Sequence, residues 1–184
     1  MVTTSLRRDH DLIDKVIRSV ETTILLLKDN KKIPESILIP VIDFTKNFVD
    51  VCHHGKEENS LFPSLEKTGM PRNMGPIATM LMEHEITKKI ASEIESSTKA
   101  YLKTNDSSKL VLDLESYVDH IKKHLWKENN RLFIMAEMRL QQSSELVEQN
   151  LDNTEKEKLA GLGKDRSYYE KLVSDLDADI SGIN

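Results

Sequence analysis

The sequence predicts an all-α protein: an up-down four-helix bundle over residues 1–140 with a short helical C-terminal extension over 141–184. Three observations lead there. Apolar residues recur at spacings of three and four along four long segments, the pattern of helices that bury one face. Polar or Gly/Pro-containing breaks at residues 29–32, 69–71 and 105–106 separate those segments and are short enough to fold neighbours back on one another. The period-two alternation expected of half-buried strands is absent.

Each element has its own signature. In the first, Thr3, Thr4 or Ser5 can cap a helix whose seam is Leu6, His10, Ile13, Ile17, Val20, Ile24 and Leu27, ending near Asp29 and Asn30. The second starts around Pro34, with Pro40 implying a later start or a kink, and carries Val41, Phe44, Phe48, Val51, Gly55, Glu58, Phe62 and Leu65. The third runs from near Pro76 to about Lys103 with Ile77, Leu81, His84, Ala91, Ile94 and Leu102 on or near one face. The fourth runs from about Ser108 to Leu140 and buries Leu110, Leu114, Tyr117, Ile121, His124, Glu128, Leu132 and Met135. Beyond Gln141 a weaker pattern (Leu146, Leu151, Leu159, Leu162) leads through a joint at Gly161 and Gly163 to a short helix from Ser167 to about Ile180. That extension is expected to pack on the outside of the bundle or to face a protein partner.

Bulk properties exclude several classes. At 38% hydrophobic and 31% charged residues, the 184-residue chain has the apolar content of a folded domain. A formal charge of -5 and no Lys/Arg cluster argue against nucleic acid as a partner. The longest apolar runs are too short to span a bilayer, and Arg7 and Arg8 are not followed by the apolar stretch of a targeting segment. The single cysteine, Cys52, suits a reducing compartment, so a cytoplasmic location is expected.

The chemistry lies in two echoing stretches, Cys52-His53-His54-Gly55-Lys56-Glu57-Glu58 and His124-Leu125-Trp126-Lys127-Glu128. In each, a histidine precedes a glutamate by four residues, about one helical turn, so imidazole and carboxylate leave the same face. His10 and His84 add one nitrogen each from the first and third helices. The chain thus divides into two hairpins, each giving one histidine and then one His-x-x-x-Glu pair. On the second helix two assignments compete. Matching Lys56, Glu57, Leu61 and Phe62 to Lys127, Glu128, Leu132 and Phe133 selects His53 with Glu57. Helical phase at about 100° per residue selects His54 with Glu58, which sit at the same offsets from the apolar seam as His124 and Glu128. The expected ligand set is therefore His10, His54, Glu58, His84, His124 and Glu128, with His53 and Glu57 as the alternative. Imidazoles and carboxylates without a thiolate suit iron, manganese or zinc, and one glutamate from each of two helices can bridge a pair of ions.

This ordered set, spread over roughly residues 5 to 140, resembles the hemerythrin-like, or HHE cation-binding, family. The resemblance implies a non-haem, carboxylate-bridged centre of two iron ions that binds, senses or reacts with dioxygen, peroxide or nitric oxide. Oxygen-carrying hemerythrin resembles a protein with paired histidines one turn apart on its third helix, whereas His84 has Met80 and Lys88 at those places, so five histidine ligands are not evident. The same ligands also fit a diiron enzyme acting on peroxide, or iron storage and delivery. A ferritin-like site needs Glu-x-x-His pairs, and the chain has none. His120, one turn before His124, is a supplementary ligand or an outer partner. Tyr117, Cys52 and the methionines Met80, Met82, Met135 and Met138 read as packing, and Trp126 faces away from the seam toward the C-terminal segment.

Overall fold

The computed structural model describes residues 1–183, and the expected all-α bundle is the observed fold. Helices α1 (Thr4–Lys28), α2 (residues 35–67), α3 (Gly75–Thr104) and α4 (residues 108–140) form the bundle, followed by α5 (Ser144–Gly161) and α6 (Arg166–Ser181). Turns fall where the sequence placed them, with Asn30, Gly69, Asn105 and Gly163 each taking a positive φ. None of the described helices is long and apolar enough to cross a membrane.

Capping of α1 differs from expectation. Thr3 stands at the N-cap but its side chain caps nothing. Instead Glu137 of α4 accepts from the amides of Val2 (3.0 Å) and Thr3 (2.9 Å) and from the Thr3 hydroxyl, and Glu148 of α5 accepts from the Thr4 amide. Carboxylates from other helices thereby meet free N–H groups at the positive end of the α1 dipole.

Winding matters more. Within α2, π-helical segments run Phe44–His54 and Glu57–Leu61, and α4 contains another, Glu128–Leu132. In α2 the π winding starts one turn after Pro40, which lies inside the helix and has no N–H to return to the preceding turn. Bonding from i to i+5 puts more residues in each turn, so every residue rotates less than in an α-helix. Gly55, placed by α-helical phase on the bundle seam, accordingly faces α5, where the Lys158 side chain lies 3.1 Å from the position of a Cβ.

The buried apolar residues form two clusters. The larger holds α1 from Leu12 onward, α2 up to Cys52, α3 from Ile90 and α4 up to Leu125, and the smaller holds Leu6, Leu61, Phe62, Ile77, Met80, Leu132 and Phe133. On all four helices the break falls at the level of the histidines. Helices α5 and α6 pack against both α1 and α2, and their Leu151, Leu159, Tyr169, Val173 and Leu176 enter these same clusters. Trp126 is not buried by this extension. It is 55% exposed and lies under Arg131, and Met82 and Met138 are exposed rather than packed.

Asp43 of α2 anchors the α5–α6 joint, accepting from Lys164 Nζ at 2.6 Å with both oxygens and from Tyr168 Oη at 2.9 Å. Burial alone would raise its pKa, but Lys164, Asn47 and Tyr168 outweigh it and hold the carboxyl below its ordinary 3.8. A depressed folded value means the stabilisation is present above the unfolded pKa and is lost as pH falls through the folded one. Asp43→Asn should therefore cost about 1 kcal/mol at pH 7, reduced by solvent screening at this part-exposed site, and the gap should begin to narrow only below about pH 4. Urea titrations of both proteins at pH 7 and pH 3 check this; a gap independent of pH would refute it.

Candidate metal centre

Between the two apolar clusters five histidines and two glutamates turn inward. His10 comes from α1, His53, His54 and Glu57 from α2, His84 from α3, and His124 and Glu128 from α4; all are buried. The consecutive residues His53 and His54, at the end of a π-wound segment, both reach the interior. Sequence reasoning treated them as alternatives and missed the fifth imidazole for that reason.

The glutamates follow the letter match rather than the phase. Glu57, opening the second π segment, is fully buried, whereas the Glu58 side chain is 37% exposed. Glu58 was expected to face the centre; instead it takes the outer nitrogen of a ligand candidate, His84 Nδ1, at 2.7 Å. His120 also stays outside: its Nε2 pairs with the Glu83 carbonyl (3.1 Å) and the Thr87 hydroxyl (3.0 Å) while its ring stacks on His124.

Four of the five imidazoles are oriented in the same way, each with Nδ1 on an outward oxygen and Nε2 inward. His10 pairs with Asn129 Oδ1 (3.0 Å), His53 with Asp9 Oδ2 (3.1 Å), His84 with Glu58 and His124 with Glu83 Oε2 (3.0 Å). Such partners fix the tautomer with the lone pair on Nε2 and raise its donor strength. The pattern repeats between the two hairpins: Asp9 matches Glu83, Lys56 on Asp9 matches Lys127 on Glu83, and Glu58 matches Asn129. Phe133 stacks on His10 and Phe62 on His84, shielding equivalent rings. His54 stands apart: neither ring nitrogen has a hydrogen-bond partner, and its ring lies parallel to His84 at 3.8 Å.

Glu128 sits at the middle. Its Oε2 is 3.1 Å from His10 Nε2 and 3.8 Å from His53 Nε2; its Oε1 is 2.8 Å from His124 Nε2 and 3.9 Å from His84 Nε2. Glu57 Oε2 is 3.1 Å from His84 Nε2. None of these contacts is directed as a hydrogen bond, so the inward nitrogens of His10, His53, His84 and His124, both nitrogens of His54 and all four oxygens of Glu57 and Glu128 are buried without partners. So many orphaned polar atoms in one place would be untenable for a packed core. They fit cations instead, because two donors each about 2.0–2.2 Å from a shared ion lie roughly 3–4 Å apart. Donor atoms within 4.8 Å of one another group as His10, His53 and Glu128; as Glu57, His84, His124 and Glu128; and as His54, His84 and His124.

Among the side chains themselves, charge is shared unevenly. Burial opposes charge on His53, but Asp9 and Glu128 lift its pKa to about 9; His124 rises to about 9 and His84 to about 11, again against burial, through the neighbouring carboxylates. His54, desolvated and beside three other imidazoles, is pushed well below the usual range. Burial and Glu128 raise Glu57, while Glu128 itself, despite burial, is held low by His124, His10 and His53. Cys52 is a buried thiol raised to about 12 by desolvation and contributes no ligand to these groups.

A four-helix bundle with imidazoles and carboxylates converging at its mid-level defines a cation-binding helical protein. Residues 1–136 match the hemerythrin HHE cation-binding domain model, and the chain belongs to that family. No curated protein and no solved structure matches it.

Proposed function

We propose that this site holds two iron ions in a carboxylate-bridged, non-haem centre that binds or senses dioxygen, peroxide or nitric oxide. The observation that carries the reading is Glu128, whose two oxygens face two different imidazole pairs. His10 and His53 would hold one ion and His84, His124 and Glu57 the other, with Glu128 within reach of both groups and His54 beside the second. Zinc or manganese would accept the same donors. Such a pair of irons supplies reversible binding of, or electron exchange with, a small oxidant. The chain's own residues Asn129, Asp9, Glu58 and Glu83 hold Nδ1 of their rings and so aim each Nε2 inward, while Phe62 and Phe133 exclude water from above the rings. His54, whose two nitrogens make no hydrogen bond, is the ring that can yield to an entering ligand. A cytoplasmic location accords with the unpaired Cys52.

The test is to load the protein with iron(II) under argon, count metal per chain, and admit oxygen while recording the visible spectrum. Two irons and a charge-transfer band that clears on deoxygenation are expected. Sustained oxygen evolution from added peroxide would move the function to an enzyme, and fewer than two irons per chain would overturn the dinuclear reading.

A further inference from the structure

Beyond the histidines the polar layer continues outward, and the two hairpins part company there. Asp9 Oδ2, which holds His53 Nδ1, also takes Lys56 Nζ at 2.6 Å, and Asp9 Oδ1 takes Arg166 Nη1 at 2.7 Å. Glu155 Oε2 closes the ring, accepting from Lys56 at 2.7 Å and from Arg166 at 3.0 Å. Two carboxylates and two cations alternate, so each charge has a counterion on either side. Glu155 belongs to α5 and Arg166 to α6, both beyond the residues that match the family. In the other hairpin Glu83 and Lys127 make the equivalent pair, but neither α5 nor α6 reaches it. Lys127 is 37% exposed in its side chain where Lys56 is 0%. Asp9, Lys56 and His53 are all sealed from solvent, and Arg166 links them to the surface, where its Nε meets Glu170 at 3.1 Å.

We propose that α5 and α6 are a working part of the metal centre, with Arg166 and Glu155 acting as positioning residues that hold Asp9 on His53 and so strengthen ion binding at the His10/His53 side only. The proposal rests on the dinuclear reading above. The physical step is orientation. With Arg166 on Oδ1, the carboxylate is fixed at both oxygens and Oδ2 stays on the ring N–H; without it, Oδ1 has no partner, and the carboxylate can rotate on its Lys56 contact and take Oδ2 off His53. Loss of such an outer partner typically lowers metal affinity about 10–100-fold, and for a group one contact further out the lower end applies. Because coupling between binding and docking is reciprocal, filling this side must tighten α6 on the bundle by the same factor.

The experiment titrates the full chain with zinc(II) against a competing chelator, which reads two affinities without any turnover. Arg166→Gln should weaken one of the two ions about 10-fold and leave the other unchanged, with Arg166→Lys intermediate. Lys164→Ala, which releases the joint from Asp43 without touching Asp9, should leave both affinities near those of the parent. Zinc should slow amide hydrogen exchange over residues 166–181 in the parent and not in Arg166→Gln. Equal affinities in parent and Arg166→Gln would overturn the proposal, as would a loss shared by both ions and by Lys164→Ala, which would make the helices mere packing. A parent chain that takes fewer than two zinc ions overturns the dinuclear reading and the proposal with it.

Discussion

Glu57→Gln and Glu128→Gln should each reduce the chain from two bound metals to one or none, whereas Glu58→Gln should keep both with an affinity about 10–100-fold weaker. The difference follows from where each carboxylate lies. Glu57 and Glu128 are fully buried with both oxygens unpartnered at the centre, while Glu58 reaches only the outer nitrogen of His84. An amide keeps the shape of each side chain but gives up the negative charge that two cations require. Metal counted per chain after anaerobic loading and desalting separates the three variants. Two metals on Glu57→Gln with none on Glu58→Gln would restore the assignment that α-helical phase makes.

Lys56→Met should destabilise the fold by about 3–5 kcal/mol, the usual cost of taking one partner from a buried ion pair. The Lys56 ammonium is wholly buried against Asp9 and Glu155, with the Ser5 hydroxyl completing its contacts at 2.8 Å. Its removal leaves Asp9 and Glu155 to share the single guanidinium of Arg166. Asp9→Asn on the same background should recover part of the loss, because neighbours in one network are not additive. Urea denaturation of the two variants and the parent measures it. A cost below about 1 kcal/mol for Lys56→Met would mean that the lysine is solvated.

The bundle and most of the centre were legible in the sequence because amphipathic period and polar breaks are local signals. His10, His84, His124 and Glu128 face inward as expected, since α1 and α3 and the α4 segment up to Lys127 wind as α-helices. The differences concentrate in α2, where two π segments shift the phase on which the choice of Glu58 over Glu57 rested. Letter matching between hairpins selects the glutamate that the structure buries. Aligning Lys56-Glu57-Glu58 with Lys127-Glu128-Asn129 pairs Glu57 with Glu128 and also pairs Glu58 with Asn129, the two outer partners of His84 and His10. A shared chemical role survives a change of winding, and a face does not. The C-terminal contribution of Glu155 and Arg166 left no local trace, because their partners in the bundle, Lys56 and Asp9, lie 99 and 157 residues away along the chain.

The division of the apolar interior into two clusters has a mechanical consequence. Seen lengthwise, the molecule is a pair of short bundles sharing four rods, with a waist that offers electrostatic rather than oily cohesion. Ions seated at that waist would staple the halves, adding RT ln(1 + [M]/Kd) to the resistance of the whole rod assembly against unzipping from either end.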